Sequence, residues 1–360
     1  DVGSIAVPGP VPTPASSRAR LLRSALLGGA AAMLLVMTPV VAWWTDRRAP
    51  AESGVPAGAF EHYLRGRHLL DQGDPAALEG AVGALERAVA VAPDFARAHL
   101  ALAGAYARLP GDREVAVARS RRELRRAIEL DDGLAAAHAQ LADILLYNDW
   151  NFDAAEESLR RAITLQPDSA EILHARANFL SMIGRHDEAI EEIRRAMALD
   201  PVSAVIRADA AWYFYRARRY DEAIAVSRAT LEVEPDNQGA LWSLLQSRRQ
   251  LGQSDAALDA ARRLQAVLDP DSSAPAELAD FWRWYLAFNE RGGLQQVASP
   301  SISGLMHLAL GERERALDLF ELATERRIGC VLTFAGDPQL DPIRDDPRFA
   351  ALLNRMRLTG

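Results

Sequence analysis

The middle of the chain repeats itself every 34 residues. An aspartate marks the same place in four successive copies: Asp153, Asp187, Asp221 and Asp255. An alanine follows each aspartate two residues later, and a proline closes three of the copies at the same interval: Pro167, Pro201 and Pro235. A fixed period of this length is typical of arrays in which one small unit stacks on the next. We therefore expect a stack of repeated units, each burying its apolar side on its neighbours.

Each repeated residue type has a physical role in a pair of helices. The aspartate is expected to cap a helix by accepting hydrogen bonds from free backbone N–H groups, and the proline ends that helix because its ring cannot continue it. Apolar residues recur at helical spacing, which predicts one buried stripe, as in Ala189, Ile190, Ile193 and Ala196. This pattern at a period of 34 resembles the tetratricopeptide repeat (TPR) family, which packs two antiparallel helices per repeat. The resemblance implies an all-α fold, a right-handed helical TPR solenoid.

The predicted solenoid extends beyond the regular copies, over residues 60–330, with six to eight helix pairs of which some are degenerate. The stretch FWRWYLAF between positions 275 and 297 is one degenerate copy, and ISGLMHLALGERERALDLFELATE predicts a late, clear pair. Residues 331–360 are predicted to form a turn-rich segment with a capping helix. The Asp-Pro steps in that segment favour turns and helix starts over a calcium-binding loop.

The N-terminal residues predict a membrane anchor. Residues 1–20 form a proline-rich linker, and an uncharged stretch then runs from Ser24 to Trp44, long enough to span a bilayer core of about 30 Å as a helix. A cleaved signal peptide and a buried core helix are the alternatives, although Trp43 and Trp44 stand where signal cleavage favours small residues. We predict a transmembrane helix at 21–45 and a spacer at 46–59. The distribution of arginines on its two sides predicts a single-pass inner-membrane protein with the TPR domain in the periplasm.

The composition excludes several classes of site. A formal net charge of -8 argues against nucleic-acid binding by this chain. A single cysteine excludes a disulfide framework and a cysteine-based zinc cluster. The catalytic motifs GxSxG, HExxH and the P-loop do not occur in the sequence. The sequence therefore predicts no enzyme, no cofactor and no metal.

Three stretches resemble a narrower group of proteins: YLRGRHLL, DWNFDAAEESLRRAITLQP and FAGDPQLDPIRDDPRFAALLNRM. Together they resemble the TPR region of bacterial membrane-bound winged-helix transcriptional regulators. The resemblance implies a membrane-anchored interaction or sensor module, the extracytoplasmic part of a one-component transcriptional regulator. This chain departs from that group because it contains no winged helix of its own. Similar C-terminal stretches in TPR-bearing bacterial kinases and nucleotide cyclases give the alternative, the regulatory half of such an enzyme.

The predicted partner site is the concave groove lined by the first helix of each repeat. The 34-residue register places ten residues there: Asp143, Tyr147, His174, Asn178, Trp212, Tyr215, Arg216, Trp242, Gln246 and Arg249. Aromatic residues and arginine dominate binding hot spots, so a protein or peptide is the expected ligand, with a second copy of the chain as a further partner. The alternative left open is that Trp212 and Trp242 fill gaps between helices, where large aromatic residues are common.

Overall fold

The computed structural model describes residues 54–72, 74–110, 112–291 and 299–358, and these residues contain helices and no strand. The chain divides into two compact units, residues 1–60 and 61–360. The predicted linker, the predicted transmembrane helix and most of the predicted spacer lie outside the described residues. The all-α prediction is confirmed for the described part of the chain.

The described helices, numbered in chain order, have the following bounds: α1 Ala57–Gln72, α2 Pro75–Val91, α3 Ala96–Arg108, α4 Arg113–Leu130, α5 Ala135–Ile144, α6 Phe152–Leu165, α7 Ala170–Met182, α8 His186–Leu199, α9 Ala204–Arg216, α10 Tyr220–Val233, α11 Gln238–Gln250, α12 Ser254–Leu268, α13 Leu278–Glu290, α14 Pro300–Ala309, α15 Arg313–Glu325 and α16 Pro347–Arg355. A π-helical turn at Leu145–Asp149 extends α5, and two 3₁₀ helices at Gly329–Ala335 and Pro338–Ile343 precede α16.

Consecutive helices of the second unit pack as pairs: α3 with α4, α5 with α6, α7 with α8, α9 with α10, α11 with α12, and α14 with α15. The pairs also stack, since α10 packs on α11 and α9 packs on α11. The predicted buried stripe is confirmed in α8, where Ala189, Ile190, Ile193 and Ala196 are at most 1% exposed. The stretch predicted as a degenerate repeat forms α13, which packs between α12 and α14.

The repeated aspartates are not helix caps, which corrects one prediction. Asp187 and Asp221 lie at the second position of their helices, after Arg185 and Arg219 as cap residues. A carboxylate in the first turn is stabilised there by the positive end of the helix dipole, without a capping hydrogen bond. In three successive regular repeats, a side chain caps the first helix of the pair instead. These cap residues repeat at the same 34-residue interval: Ser169, Ser203 and Asn237.

Residues 329–358, called here the C-terminal segment, fold back onto the repeats. Its first 3₁₀ helix contacts α7, α15 and the π-helical turn, and its second contacts α14. Val331, Phe334 and Leu340 are at most 1% exposed within one apolar cluster that also contains Leu146 and Phe179. The segment is therefore part of the core of the second unit.

No helix in the described stretches is long and apolar enough to cross a membrane. The longest of them, α4, has 18 residues and carries charged side chains along its length, whereas a crossing needs about 20 mostly apolar residues. This finding corrects the predicted localisation as a single-pass inner-membrane protein with a periplasmic TPR domain. The segment on which that prediction rested, residues 24–44, is not among the described residues.

Candidate functional site

The ten predicted groove residues lie on the first helices of three successive pairs, α7, α9 and α11, and on α5 with its π-helical turn. We call the surface formed by these helices the inner face. The structure divides the ten residues into three sets. One set forms a polar strip, a second lies beneath the C-terminal segment, and a third lines an apolar pocket.

The polar strip joins α5, its π-helical turn and α7. The Nδ2 of Asn178 donates a hydrogen bond of 2.6 Å to the Tyr147 hydroxyl. The Nε2 of His174 lies 2.7 Å from Oδ2 of Asp209, an acidic residue that the register did not single out. Asp143 is exposed on the same strip. These contacts tie neighbouring repeats together and leave polar atoms at the surface.

The second set lies under the C-terminal segment. Arg216 is 1% exposed, and its guanidinium donates to the Ser181 hydroxyl at 3.0 Å and to the Thr333 carbonyl at 3.1 Å. The Tyr215 hydroxyl donates to Oδ1 of Asp337 at 3.4 Å. Gln246 on α11 is fully buried, and neither of its amide atoms has a hydrogen-bond partner among the described residues.

Asp337 is a buried carboxylate in the C-terminal segment. Burial raises its pKa, while the backbone N–H of Gln339, which donates to it at 2.9 Å, and the guanidinium of Arg216 lower it. Burial in turn lowers the pKa of Arg249, whose guanidinium lies 5.4 Å from the Trp282 ring centre. The two arginines therefore compensate a charge that the C-terminal segment brings into the core.

The apolar contacts of the C-terminal segment determine how strongly it is held on the inner face. Burying an aliphatic or aromatic side chain stabilises a fold by about 1.5–3 kcal/mol, and the segment buries Val331, Leu332, Phe334, Leu340 and Ile343 almost completely. Their sum, on the order of 10 kcal/mol, is as large as the stability of a whole domain. We therefore regard the segment as a fixed part of the fold. A partner role for Tyr215, Arg216, Gln246 and Arg249 stays a prediction.

The third set lines an apolar pocket of about 390 Å³. Trp212 and Trp242 are half-buried in its wall. Trp212 stacks on Tyr215 with ring centres 4.8 Å apart, and Trp242 packs 5.4 Å from Tyr285. The full lining is Trp212, Gln238, Gly239, Trp242, Leu264, Leu268, Tyr285, Ile302, Leu305, Met306, Thr333, Asp337 and Gln339. We call this the aromatic pocket.

Sequence reasoning found two walls of the aromatic pocket and missed the others. Tyr285 belongs to the degenerate copy, which has no register to phase it, and Ile302 and Met306 belong to the late pair. The aromatic run FWRWYLAF was the one signal that pointed to this region. The sequence left open whether Trp212 and Trp242 fill gaps between helices or face a partner. In the structure both rings pack on other rings, as gap-filling residues do, and both also line a cavity.

The described residues hold no group of three or more His, Cys, Asp or Glu side chains arranged to bind a metal. The aromatic pocket instead offers apolar walls with a few amide groups. Such a site suits an apolar group whose position is fixed by hydrogen bonds from its polar neighbours.

Comparison with known proteins supports the repeat assignment. Family models of the tetratricopeptide repeat match residues 158–191, and also residues 63–118 and 208–275. No curated protein matches the chain.

Three solved structures are similar to parts of this chain. A tetratricopeptide repeat protein from Parabacteroides merdae is 14% identical, covering 84% of this chain and 100% of its own, with a TM-score of 0.47. PilF of Pseudomonas aeruginosa is 19% identical, with 64% and 97% covered and a TM-score of 0.49. The type IV pilus biogenesis factor PilW is 21% identical, with 66% and 98% covered and a TM-score of 0.46. The 34-residue register, the paired helices and the family models agree that this chain contains tetratricopeptide repeats.

Proposed function

We propose that this chain is a protein-interaction module that binds a peptide segment of a partner protein through the aromatic pocket. The observation that carries the proposal is the pocket itself: two tryptophans and a tyrosine around an apolar cavity on the inner face. Its volume of about 390 Å³ lies in the range of ligand pockets, roughly 300–1,000 Å³.

The lining indicates what the pocket accepts. Leu264, Leu305 and Met306 offer only apolar contacts, so an aliphatic or aromatic side chain of the partner gains about 1.5–3 kcal/mol by entering. Gln339 is 4% exposed, and its Oε1 has no hydrogen-bond partner among the described residues. A backbone N–H of a bound peptide would satisfy that oxygen. The expected ligand is therefore an extended segment with one large apolar side chain.

A peptide selection tests the proposal. A displayed library of 12-residue peptides is selected on the full chain, and the recovered peptides are measured by fluorescence anisotropy. Trp242→Ala removes a wall, and Ile302→Trp fills the cavity with a larger ring. Both should weaken binding about 10- to 30-fold, since losing a hot-spot contact costs about 2 kcal/mol.

Trp284→Ala is the matched control. Trp284 is a half-buried tryptophan on α13 that does not line the pocket, and its Nε1 donates to Asp269 at 3.4 Å. The Trp284→Ala variant should bind the selected peptides with the same affinity as the unaltered chain. Circular dichroism should show that all three variants are folded. Equal binding by Ile302→Trp and the unaltered chain would refute the pocket as the site.

Three narrower statements belong to the same proposal. The module has no catalytic activity of its own; it is the sensor region of a one-component transcriptional regulator; and it can pair with a second copy of itself. The regulator statement rests on the three stretches that resemble such proteins, and the alternative remains the regulatory half of a kinase or cyclase.

Coding sequence upstream of Asp1 separates these two functions, since a helix-turn-helix favours a regulator and HRD and DFG motifs favour a kinase. Light scattering tests the pairing.

A further inference from the structure

A second concave region lies away from the aromatic pocket, where the ends of α15 and α16 face α4 and the turn between α5 and α6. A cavity of about 340 Å³ is lined by Asp149, Trp150, Asn151, Arg327, Arg355, Met356 and Arg357. It adjoins a wider cleft of about 960 Å³ lined by Arg113, Glu114, Val117, Ala118, Arg121, Asn148, Glu325, Arg326, Arg327 and Ile328. Arg327 belongs to both linings, so we treat them as one site, the arginine cleft.

The charge of the arginine cleft is opposite to that of the chain. Six arginines face three carboxylates in its lining, whereas the whole chain has a formal net charge of -8. The carboxylate of Asp149 is paired within the cleft, because both Nη atoms of Arg121 donate to it at 2.8 and 2.7 Å. A second, Glu325, lies 3.9 Å from Arg355. The cleft therefore keeps an excess of positive charge after its internal pairs are formed.

Four arginines of the cleft lack a carboxylate partner among the described residues: Arg113, Arg326, Arg327 and Arg357. Many other arginines of the described chain form ion pairs with carboxylates. Arg348, for example, contacts three carboxylates, and Arg313 contacts Asp346. A smaller group, Arg228, Arg248 and Arg263, lines another cavity beside two carboxylates, so the arginine cleft is distinguished by its larger excess of positive charge.

The backbone of the cleft is strained at three places. Trp150, Arg327 and Arg357 have φ of 53°, 48° and 58°, the left-handed region that non-glycine residues rarely adopt. They are three of the four such non-glycine residues in the described chain. Arg327 and Arg357 follow their helices at the place that Gly184 occupies after α7. Strained residues cluster at functional sites, where a side chain is needed in spite of the strain.

Most of the unpaired groups in the walls are hydrogen-bond donors, and the Glu114 carboxylate is the exception. The Trp150 side chain is nine-tenths buried, and its Nε1 has no acceptor among the described residues. The Arg327 guanidinium lies 5.3 Å from the centre of the same indole ring. A ligand that satisfies guanidinium and indole N–H groups must supply acceptors and negative charge.

We propose that the arginine cleft binds an acidic segment of a protein partner, through the carboxylates of that segment. The cleft is large enough for several side chains, and its arginines form the planar, two-pronged contacts that carboxylates accept. A nucleic acid is disfavoured, because the rest of this acidic chain repels a long polyanion. The cleft is separate from the aromatic pocket and can be tested without it.

The test uses a fluorescein-labelled peptide of eight glutamates and the full chain, followed by fluorescence anisotropy at 50 mM and 300 mM NaCl. The variant Arg327→Gly/Arg357→Gly removes two charges at positions where glycine is the favoured residue, so it should fold at least as well as the unaltered chain. It should bind the peptide at least 10-fold more weakly at the lower salt concentration. The unaltered chain should also lose affinity at the higher salt concentration.

The control Arg315→Gln removes an exposed arginine of α15 that lies outside the cleft. It should bind within 2-fold of the unaltered chain. Equal losses in Arg315→Gln and in the double variant, or no binding of octaglutamate by the unaltered chain, would overturn the proposal. Tighter binding of an eight-nucleotide single-stranded DNA than of octaglutamate would overturn the assignment to an acidic protein.

Discussion

Arg218 and Asp341 form a two-pronged ion pair across 123 positions of the chain. Both Nη atoms of Arg218 donate to the carboxylate, at 2.6 and 2.7 Å. Arg218 has φ of 62°, and it stands where Gly184 and Gly252 stand 34 residues before and after it. One repeat has therefore replaced its turn glycine with an arginine that reaches the C-terminal segment.

Replacing Arg218 separates the strain from the ion pair. Arg218→Gly relieves left-handed strain of about 1 kcal/mol and loses a partly exposed pair worth about 0–1 kcal/mol, so its stability should change by less than about 1 kcal/mol. Arg218→Ala keeps the strain and loses the pair, and should be about 1 kcal/mol less stable than Arg218→Gly. Urea unfolding measures both. Equal stability of the two variants would contradict the strain argument.

Arg216 should be essential for folding. Arg216→Met removes its bonds to Ser181 and to the Thr333 carbonyl and takes from the buried Asp337 one of the two guanidinium groups that compensate its charge. Breaking a buried charge pair costs about 3–5 kcal/mol. Arg195→Met, at an exposed arginine of α8, is the control and should change stability by less than about 0.5 kcal/mol. Similar unfolding midpoints for the two variants would show that Arg216 is not a structural residue.

His186 should make the fold sensitive to acid. Burial, with the guanidinium groups of Arg216 and Arg218 adding to it, lowers its pKa from 6.5 to about 4. The unfolded chain therefore binds the proton first, and stability falls as the pH drops from about 6.5 towards about 4. Relative to His186→Gln, the unaltered chain should lose about 1–3 kcal/mol over that range, a figure reduced because the imidazole is partly exposed.

Urea unfolding of the unaltered chain and of His186→Gln at pH 7.5, 6 and 4.5 measures this difference. Asp337 is present in both proteins, and its raised pKa acts in the opposite direction, so its contribution cancels in the comparison. Parallel pH profiles would mean that His186 titrates normally in the folded chain.

Gly304 should be required for the packing of α14 on α15. A Cβ at this position would lie 2.4 Å from the Phe320 ring, which is closer than real contacts allow. Gly304→Ala should destabilise the fold by about 1–3 kcal/mol. Gly83→Ala in α2 is the control, since a Cβ there meets only Arg87 at 3.7 Å. That change should stabilise by about 0.5–1 kcal/mol. Thermal melts of the two variants should therefore shift in opposite directions.

The repeat register predicted the elements because their determinants are local. Apolar spacing fixes the buried face of a helix such as α8, and the glycine at 184 fixes a left-handed turn, whatever the rest of the chain does. The same reasoning was wrong for Asp187, which lies two residues after the cap residue Arg185. A carboxylate is favourable both as a cap and in the first helical turn, and the sequence pattern does not distinguish the two.

The candidate site was predicted in part for the same reason. Trp212 and Trp242 lie on the first helices of successive repeats, one helical turn apart in the register, so the sequence placed them on one face. Tyr285 was missed because its copy has lost the register. The arginine cleft left no sequence signal, since Arg327, Arg357 and Trp150 meet only after the chain has folded back.

The sequence by itself determined the helices, their pairing and the face that each pair buries, because these depend on residues within one or two repeats of each other. Only the tertiary structure showed that the C-terminal segment covers part of the inner face. Asp337 and Asp341 read as turn residues in the sequence, yet one is buried beside Arg216 and the other is paired with Arg218. Such contacts span more than 100 positions, and no local pattern encodes them. They form because the apolar side chains of the C-terminal segment gain more by burial on the repeats than their charged neighbours lose by leaving water.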